Sequence, residues 1–194
     1  MIKKLTLLVF AALLLTSLAV AQDPSAILKP PAGSHTALVI FEDLQCPQCG
    51  RTAPLIKQAV STYKIPLVVY DFPLPMHNWS YNAAILAHYF DSKSKQLGSD
   101  FRYYIYDNQM QIYPTNLREY AEKFATAHKV DLPFVVDPQG KLAGEINASK
   151  AVANDIHIDH TPTVFIVSNK GGQNRAVEVK QPQTELFQTI DAMK

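Results

Sequence analysis

The stretch TALVIFEDLQCPQCGRTAPLIKQAVSTYKIPLVVYDF, residues 36–72, decides the architecture of this chain. Thr36 to Phe41 is a short apolar run rich in β-formers, the pattern of a buried strand. From Pro47 to about Tyr63, Leu55, Ile56, Ala59 and Val60 recur at helical spacing, and Pro54 inside that pattern predicts a kink. Ile65 to Phe72 is a second buried-strand run. Strand, helix and strand make a β-α-β unit of the usual ~30 or more residues, so the two strands are expected to be parallel neighbours. Cys46 and Cys49 fall at the junction of first strand and helix.

Downstream, Tyr81, Ala84, Ile85 and His88 share one helical face, as do Leu117, Tyr120, Ala121 and Phe124. A further helix is expected around Asp100 to Tyr106, and a fourth from Lys141 to Asp155. Together they form a helical insertion over about 80–155. Thr163 to Val167 and Arg175 to Lys180 are then β-like runs joined by Asn169-Lys170-Gly171-Gly172, which predicts a hairpin, and Gln183 to Met193 closes the chain as a helix. The class is α/β with a mixed central sheet, the insertion lying between a β-α-β half and a β-β-α half.

Upstream, Met1 to Lys4 is a short basic start, Leu5 to Val20 is almost wholly apolar, and Ala19-Val20-Ala21 offers small residues for cleavage. Residues 1–21 therefore read as a secretory signal peptide with the mature chain starting at Gln22; an uncleaved membrane anchor is the alternative, disfavoured because a bilayer span needs ~20 apolar residues. Residues 22–35, with Pro24, Pro30, Pro31 and Gly33, read as an extended lead-in. Losing Lys3 and Lys4 brings 18 basic and 17 acidic residues close to balance, and no basic patch argues for nucleic acid. Export places the chain in an oxidising compartment, the periplasm or its equivalent.

The chain has two cysteines, in Cys46-Pro47-Gln48-Cys49. As a structural staple the pair would close a loop so small that it contributes only about 2 kcal/mol. As a metal site it lacks a second half: His157 and His160 are the only close histidine pair, and His157 reads as a loop residue. Redox catalysis suits the geometry. Residues three apart on a first helical turn share a face, and unpaired N–H groups with the positive end of the helix dipole stabilise a thiolate on the first sulfur. Cys46 is then the nucleophile and Cys49 the resolving thiol. Gln48 carries no charge, so the Cys46 pKa is expected to lie above the ~3.5 and nearer the ~7 that bound such motifs.

FEDLQCPQC (41–49), FPLPMH (72–77) and HTPTVFIV (160–167) resemble DsbA-type proteins of the thioredoxin fold. The likeness spans nearly all of the mature chain, making 36–194 one thioredoxin-like domain, and Pro54 resembles the kinking proline of thioredoxin active-site helices. It implies a cis bond between Thr161 and Pro162, beside the cysteine pair, with the backbone of Thr161 pairing to an extended substrate. By the same resemblance the substrates are unfolded or flexible cysteine-containing exported proteins, and reoxidation comes from a membrane quinone-linked partner of the DsbB or vitamin K epoxide reductase type. No flavin or nicotinamide site is needed on this chain, no metal is expected, and a monomer is. Two positions depart from the family. Ile40 stands six before Cys46, where a buried acid is common, while Glu42 and Asp43 read as solvated loop acids. Pro47-Gln48 replaces the Pro-His of the strongest oxidants.

The expected activity is a thiol-disulfide oxidoreductase, foremost a disulfide oxidase. An isomerase or reductase is the rival; isomerases of this kind carry a separate dimerisation domain, for which residues 22–35 leave no room. A peptide-binding chaperone with incidental cysteines is the rival from another class. Trp79, Tyr103, Tyr104, Tyr106 and Tyr113 read as core, His77 as orienting backbone, and His35, His88 and His128 show no identifiable partner.

Overall fold

The computed structural model describes residues 23–194; the signal peptide expected at 1–21 lies outside them. The described chain opens with one helical turn, α1 (Pro24–Ile27), where an extended lead-in was expected. Its cause is local: the Asp23 carboxylate accepts from Ser25 N–H at 2.9 Å, and Pro24 supplies a helical φ at the first position. Leu28 then buries itself against the sheet.

Strand β1 (Thr36–Glu42) leads into α2 (Pro47–Tyr63), β2 (Leu67–Asp71), and four helices, α3 (Ser80–Lys93), α4 (Lys95–Asn108), α5 (Leu117–Ala127) and α6 (Lys141–Asp155). The hairpin strands β3 (Thr163–Ser168) and β4 (Arg175–Glu178) follow, and α7 (Pro182–Met193) ends the chain. Strand order is β2-β1-β3-β4, with β1 parallel to β2 and antiparallel to β3, and β3 antiparallel to β4. The mixed sheet, the parallel pair and the hairpin are those the sequence predicts. Helix α2 runs on through Pro54 without a break.

Burial on both faces explains why β1 lacks a polar-apolar alternation. Leu38 and Ile40 point to one side, packing with Ile56 and Ala59 of α2 and Leu186 and Ile190 of α7. Ala37, Val39 and Phe41 point to the other, meeting Ala153 and Ile156 at the end of α6. A third cluster fills the helical layer, where Phe124 meets Phe90 and Phe101 edge to face and those two rings lie tilted against each other, at centroid separations of 4.6–5.1 Å. Trp79 is buried there, with Tyr104 and Tyr106 packed against it, but Tyr113 projects into solvent at 59 % exposure and is not core.

The layers are tied by buried charge. Arg102 of α4 donates to both oxygens of Asp71 at the end of β2, at 2.7 and 2.9 Å, and to Glu42 at the end of β1, at 3.0 Å. His88, expected to lack a partner, joins this group: Nε2 lies 2.7 Å from Asp71 and Nδ1 2.8 Å from Glu145 of α6. Burial alone would raise the Asp71 pKa, but Arg102 and His88 overcome it and hold the carboxyl down at about 2. His35 and His128 also have partners, the first Asn169 at 2.9 Å and the second the ring of Phe124, stacked at 4.1 Å. No helix among the described residues is long and apolar enough to cross a membrane.

Candidate active site

Cys46 is the N-cap of α2 and Pro47 its first residue, so the missing N–H of the proline costs nothing there. Both cysteines are thiols in this structure, with Cys46 6 % and Cys49 1 % exposed. The Thr161–Pro162 bond is cis, and the carbonyl of Thr161 lies 3.3 Å from Cys46 Sγ, so the chain brings together residues 115 positions apart. Gln48 lies on the exposed side of the turn, its side-chain oxygen accepting from Arg51 at 2.6 and 3.1 Å.

The two sulfurs are made unlike by their surroundings. Cys46 is lowered from 9.0 to about 5: the Cys49 S–H points at it, and the Thr161 hydroxyl and the N–H groups of Cys49 and Gln48 add to this against the opposing effect of burial. That value lies above the expected lower bound but not on the side of ~7. The difference comes from the Thr161 hydroxyl and the neighbouring thiol, neither of which helix-dipole reasoning supplies. Burial first, and then the adjacent Cys46, push Cys49 well above 9.0.

Glu42 and Asp43 are not solvated loop acids; they are 6 % and 1 % exposed. Glu42 continues β1 on the face of Ile40, two residues nearer the cysteines, and this puts a carboxyl in the electrostatic field of Cys49. Burial raises its pKa while Arg102 opposes. It also lines a cavity of about 450 Å³ with Ala53, Arg102 and Tyr106. Asp43 is a structural hub. Its oxygens accept from Gln45 N–H at 2.7 Å, Leu74 N–H at 2.8 Å and the Ser80 hydroxyl. His77 Nδ1 sits 2.6 Å away and donates, since a carboxylate only accepts. One buried side chain thus fixes the cysteine loop, the FPLPMH loop and the start of α3.

A further clamp, Gln109, donates to the carbonyls of Leu44 at 2.7 Å and Cys46 at 3.0 Å. Its approach needs a residue without a side chain after Cys49: a Cβ on Gly50 would stand 2.9 Å from the Gln109 side-chain oxygen. His157 and His160 take no part; His157 is a turn residue at φ 59 and His160 bonds Asp159 at 2.7 Å. Among the described residues no group of histidine, cysteine and acidic side chains is placed to hold a metal.

A mixed sheet with a Cys-x-x-Cys pair capping the first long helix and a cis-proline beside it defines a thioredoxin-fold protein. The family model described as thioredoxin matches residues 31–190, and the chain belongs to that family. Similar solved structures are DsbA-like. The thiol-disulfide exchange protein alpha-DsbA2 of Wolbachia pipientis has 20 % identity and a TM-score of 0.67 over 86 % of each chain. Alpha-DsbA1 of the same organism has 16 % identity and a TM-score of 0.70 over 89 % of this chain and 96 % of that one. The catalytic domain of Proteus mirabilis ScsC has 17 % identity and a TM-score of 0.61, covering 86 % and 88 %. No curated protein sequence matches the chain.

Proposed function

We propose that this protein is a thiol-disulfide oxidoreductase that donates the Cys46–Cys49 disulfide to exported, cysteine-containing polypeptides in the periplasm or an equivalent compartment. The observation that carries this is the asymmetry of the pair, with Cys46 lowered to about 5 and Cys49 raised well above 9.0. A substrate thiolate attacks Cys46 Sγ, the less buried sulfur; the Cys46–Cys49 bond breaks and Cys49 leaves with the electron pair. Being disfavoured as a thiolate, Cys49 takes a proton; the burial of Glu42, its raised pKa and its effect on Cys49 support it as the source. A second substrate thiolate then attacks the substrate sulfur of the mixed disulfide, closing the substrate's bond and releasing Cys46 as a thiolate. The low Cys46 pKa favours this last step, because a stable leaving thiolate makes the disulfide more oxidising.

The Thr161 backbone and Pro162 would hold the substrate as an added strand. The reduced chain would be reoxidised by a membrane quinone-linked protein of the DsbB or vitamin K epoxide reductase type. Replacing Cys46 by Ser is expected to abolish turnover, measured as oxidation of a reduced two-cysteine peptide. Full oxidation by that variant would remove Cys46 from the reaction, whereas no oxidation by the unaltered chain, with client binding intact in both, would leave the chaperone reading. Equilibration with glutathione then gives direction: a potential above the ~−180 to −210 mV of an oxidising folding compartment supports the donor, and one near ~−270 mV the reductase.

A further inference from the structure

Helix α6 hands the chain to the segment that brings Thr161 to Cys46, yet little apolar packing holds it. Of its 15 residues only Ile146 and Ala153 are buried. Its polar ties to α3 are unequal: the Tyr81 hydroxyl reaches the Ala143 carbonyl at 3.4 Å and the Asn147 side chain at 3.3 Å, whereas His88 reaches Glu145 at 2.8 Å. The short tie is the charged one. It is also gripped from behind, because the other ring nitrogen of His88 lies 2.7 Å from Asp71.

A carboxylate only accepts, so both ring nitrogens of His88 must donate, and only the imidazolium has two N–H groups. A neutral ring keeps one proton. It stays on Nε2, where the Asp71 side chain is 2 % exposed, since Glu145, at 47 %, has water to turn to. The bare Nδ1 then faces a carboxylate oxygen, acceptor against acceptor, and the tie to α6 becomes a repulsion. Burial alone would lower the His88 pKa, but Asp71 and then Glu145 overcome it and raise it above 6.5. The imidazolium is therefore complete below 6.5 and is lost as pH rises through the raised value. Glu42 of β1, Asp91 of α3, and Lys95 and Arg102 of α4 line a cavity with His88. Its two tyrosines, Tyr103 and Tyr106, are pushed by burial up to about 12 and well above 10.0, outside that window.

We infer that His88 is a positioning residue and a pH-dependent latch: its imidazolium ties α6 to the sheet and so steadies the segment 156–162 beside Cys46, and its neutral ring releases both. The latch follows from the placement of His88 between two carboxylates; its bearing on catalysis rests on the thiol-disulfide function proposed above.

The test is hydrogen exchange of the oxidised full chain from about pH 5 to 9, across the range in which histidine titrates. Protection in α6 is divided by protection in α7 at each pH, which removes the intrinsic pH dependence of exchange. The ratio is expected to fall about five-fold, the size of a charge-assisted bond with a half-exposed outer partner, at the midpoint read from the His88 ring protons. The amide of Ile158, which donates to the Ala153 carbonyl at 2.8 Å, should follow α6. Glu145→Gln offers the bare Nδ1 a donor, so its ratio should stay high and flat, while His88→Gln should be flat as well. His157 and His160 lie in the segment itself, and Glu145→Gln leaves them unchanged. A ratio independent of pH in the unaltered chain, a fall that survives Glu145→Gln, or an Ile158 amide that ignores α6 would each overturn the inference. Should His88→Gln fail to fold, Glu145→Gln, altered at a half-exposed side chain, decides. None of these readouts uses a substrate, so loss of the oxidoreductase reading, seen as no turnover of the two-cysteine peptide, is a separate failure.

Discussion

A single sulfur atom illustrates how far residue-scale reasoning reaches. The Cys-x-x-Cys spacing and the strand-to-helix junction are enough to place Cys46 at the N-cap, because first-turn geometry is local. Thr161 contributes from 115 positions away, and only a resemblance, not spacing, could bring it in. Glu42 and Asp43 depart from the solvated setting that the sequence suggests for a different reason. Charged residues after an apolar run suggest solvent, yet Glu42 is simply the next inward position after Ile40 on the same strand face, which period-2 counting would have caught. Its ion pair with Arg102 could not have been seen, since the partner sits 60 positions on. Asp43 gives no such signal; its burial follows from four donors arriving from three segments. The titration of Cys46 tests the site at this scale: thiolate absorbance of the reduced protein should rise with a midpoint near 5, while Cys49 stays protonated past 9.0. A midpoint at 7 or above would mean that the Thr161 hydroxyl and the Cys49 thiol do not act on Cys46 as the geometry indicates.

Elements were more legible than side chains. Two of the four helices between β2 and β3, α3 and α5, announce themselves through apolar residues at helical offsets; Lys141–Asp155 appears with the expected ends, and α4 extends beyond the expected 100–106 to Lys95–Asn108. What periodicity does not reveal is how closely two helices approach. Gly98 in α4 packs against α3, where an added Cβ would lie 2.9 Å from the Cα of Asp91 and closer still to its carboxylate. Two effects oppose each other in Gly98→Ala. Alanine is better in a helix interior by ~1 kcal/mol, whereas forcing atoms into a packed contact costs ~1–3 kcal/mol. Because the obstacle includes backbone, which cannot swing aside, the clash should win. The variant is expected to unfold at lower urea, with the midpoint shifted and the slope unchanged. A stabilised Gly98→Ala protein would show that α3 and α4 have room to separate.

At the scale of the whole molecule, the redox state of one pair is coupled to the stability of the entire fold. Arg102, Asp71, Glu42 and His88 bind the helical layer to the ends of β1 and β2, the strand end that leads into the cysteines. A disulfide has no proton to lose, and the difference in unfolding free energy between reduced and oxidised protein therefore isolates the thiols. Below pH 5, Cys46 is protonated in the native and the unfolded chain alike and contributes no pH dependence. Between 5 and 9.0 the native chain holds a thiolate where the unfolded chain binds a proton, so the reduced form gains stability as pH rises. One proton limits the slope to ~1.4 kcal/mol per pH unit, and solvent screening at the surface end of α2 keeps it below that. Above 9.0 the sign reverses. There the unfolded chain also ionises at Cys49, whose native pKa is raised, and the native state is the one that holds the extra proton. Urea unfolding of both redox forms from pH 4 to 10 should trace a difference that is flat at first, climbs from 5, and bends over past 9; a difference independent of pH would mean that the fold does not hold Cys46 as a thiolate.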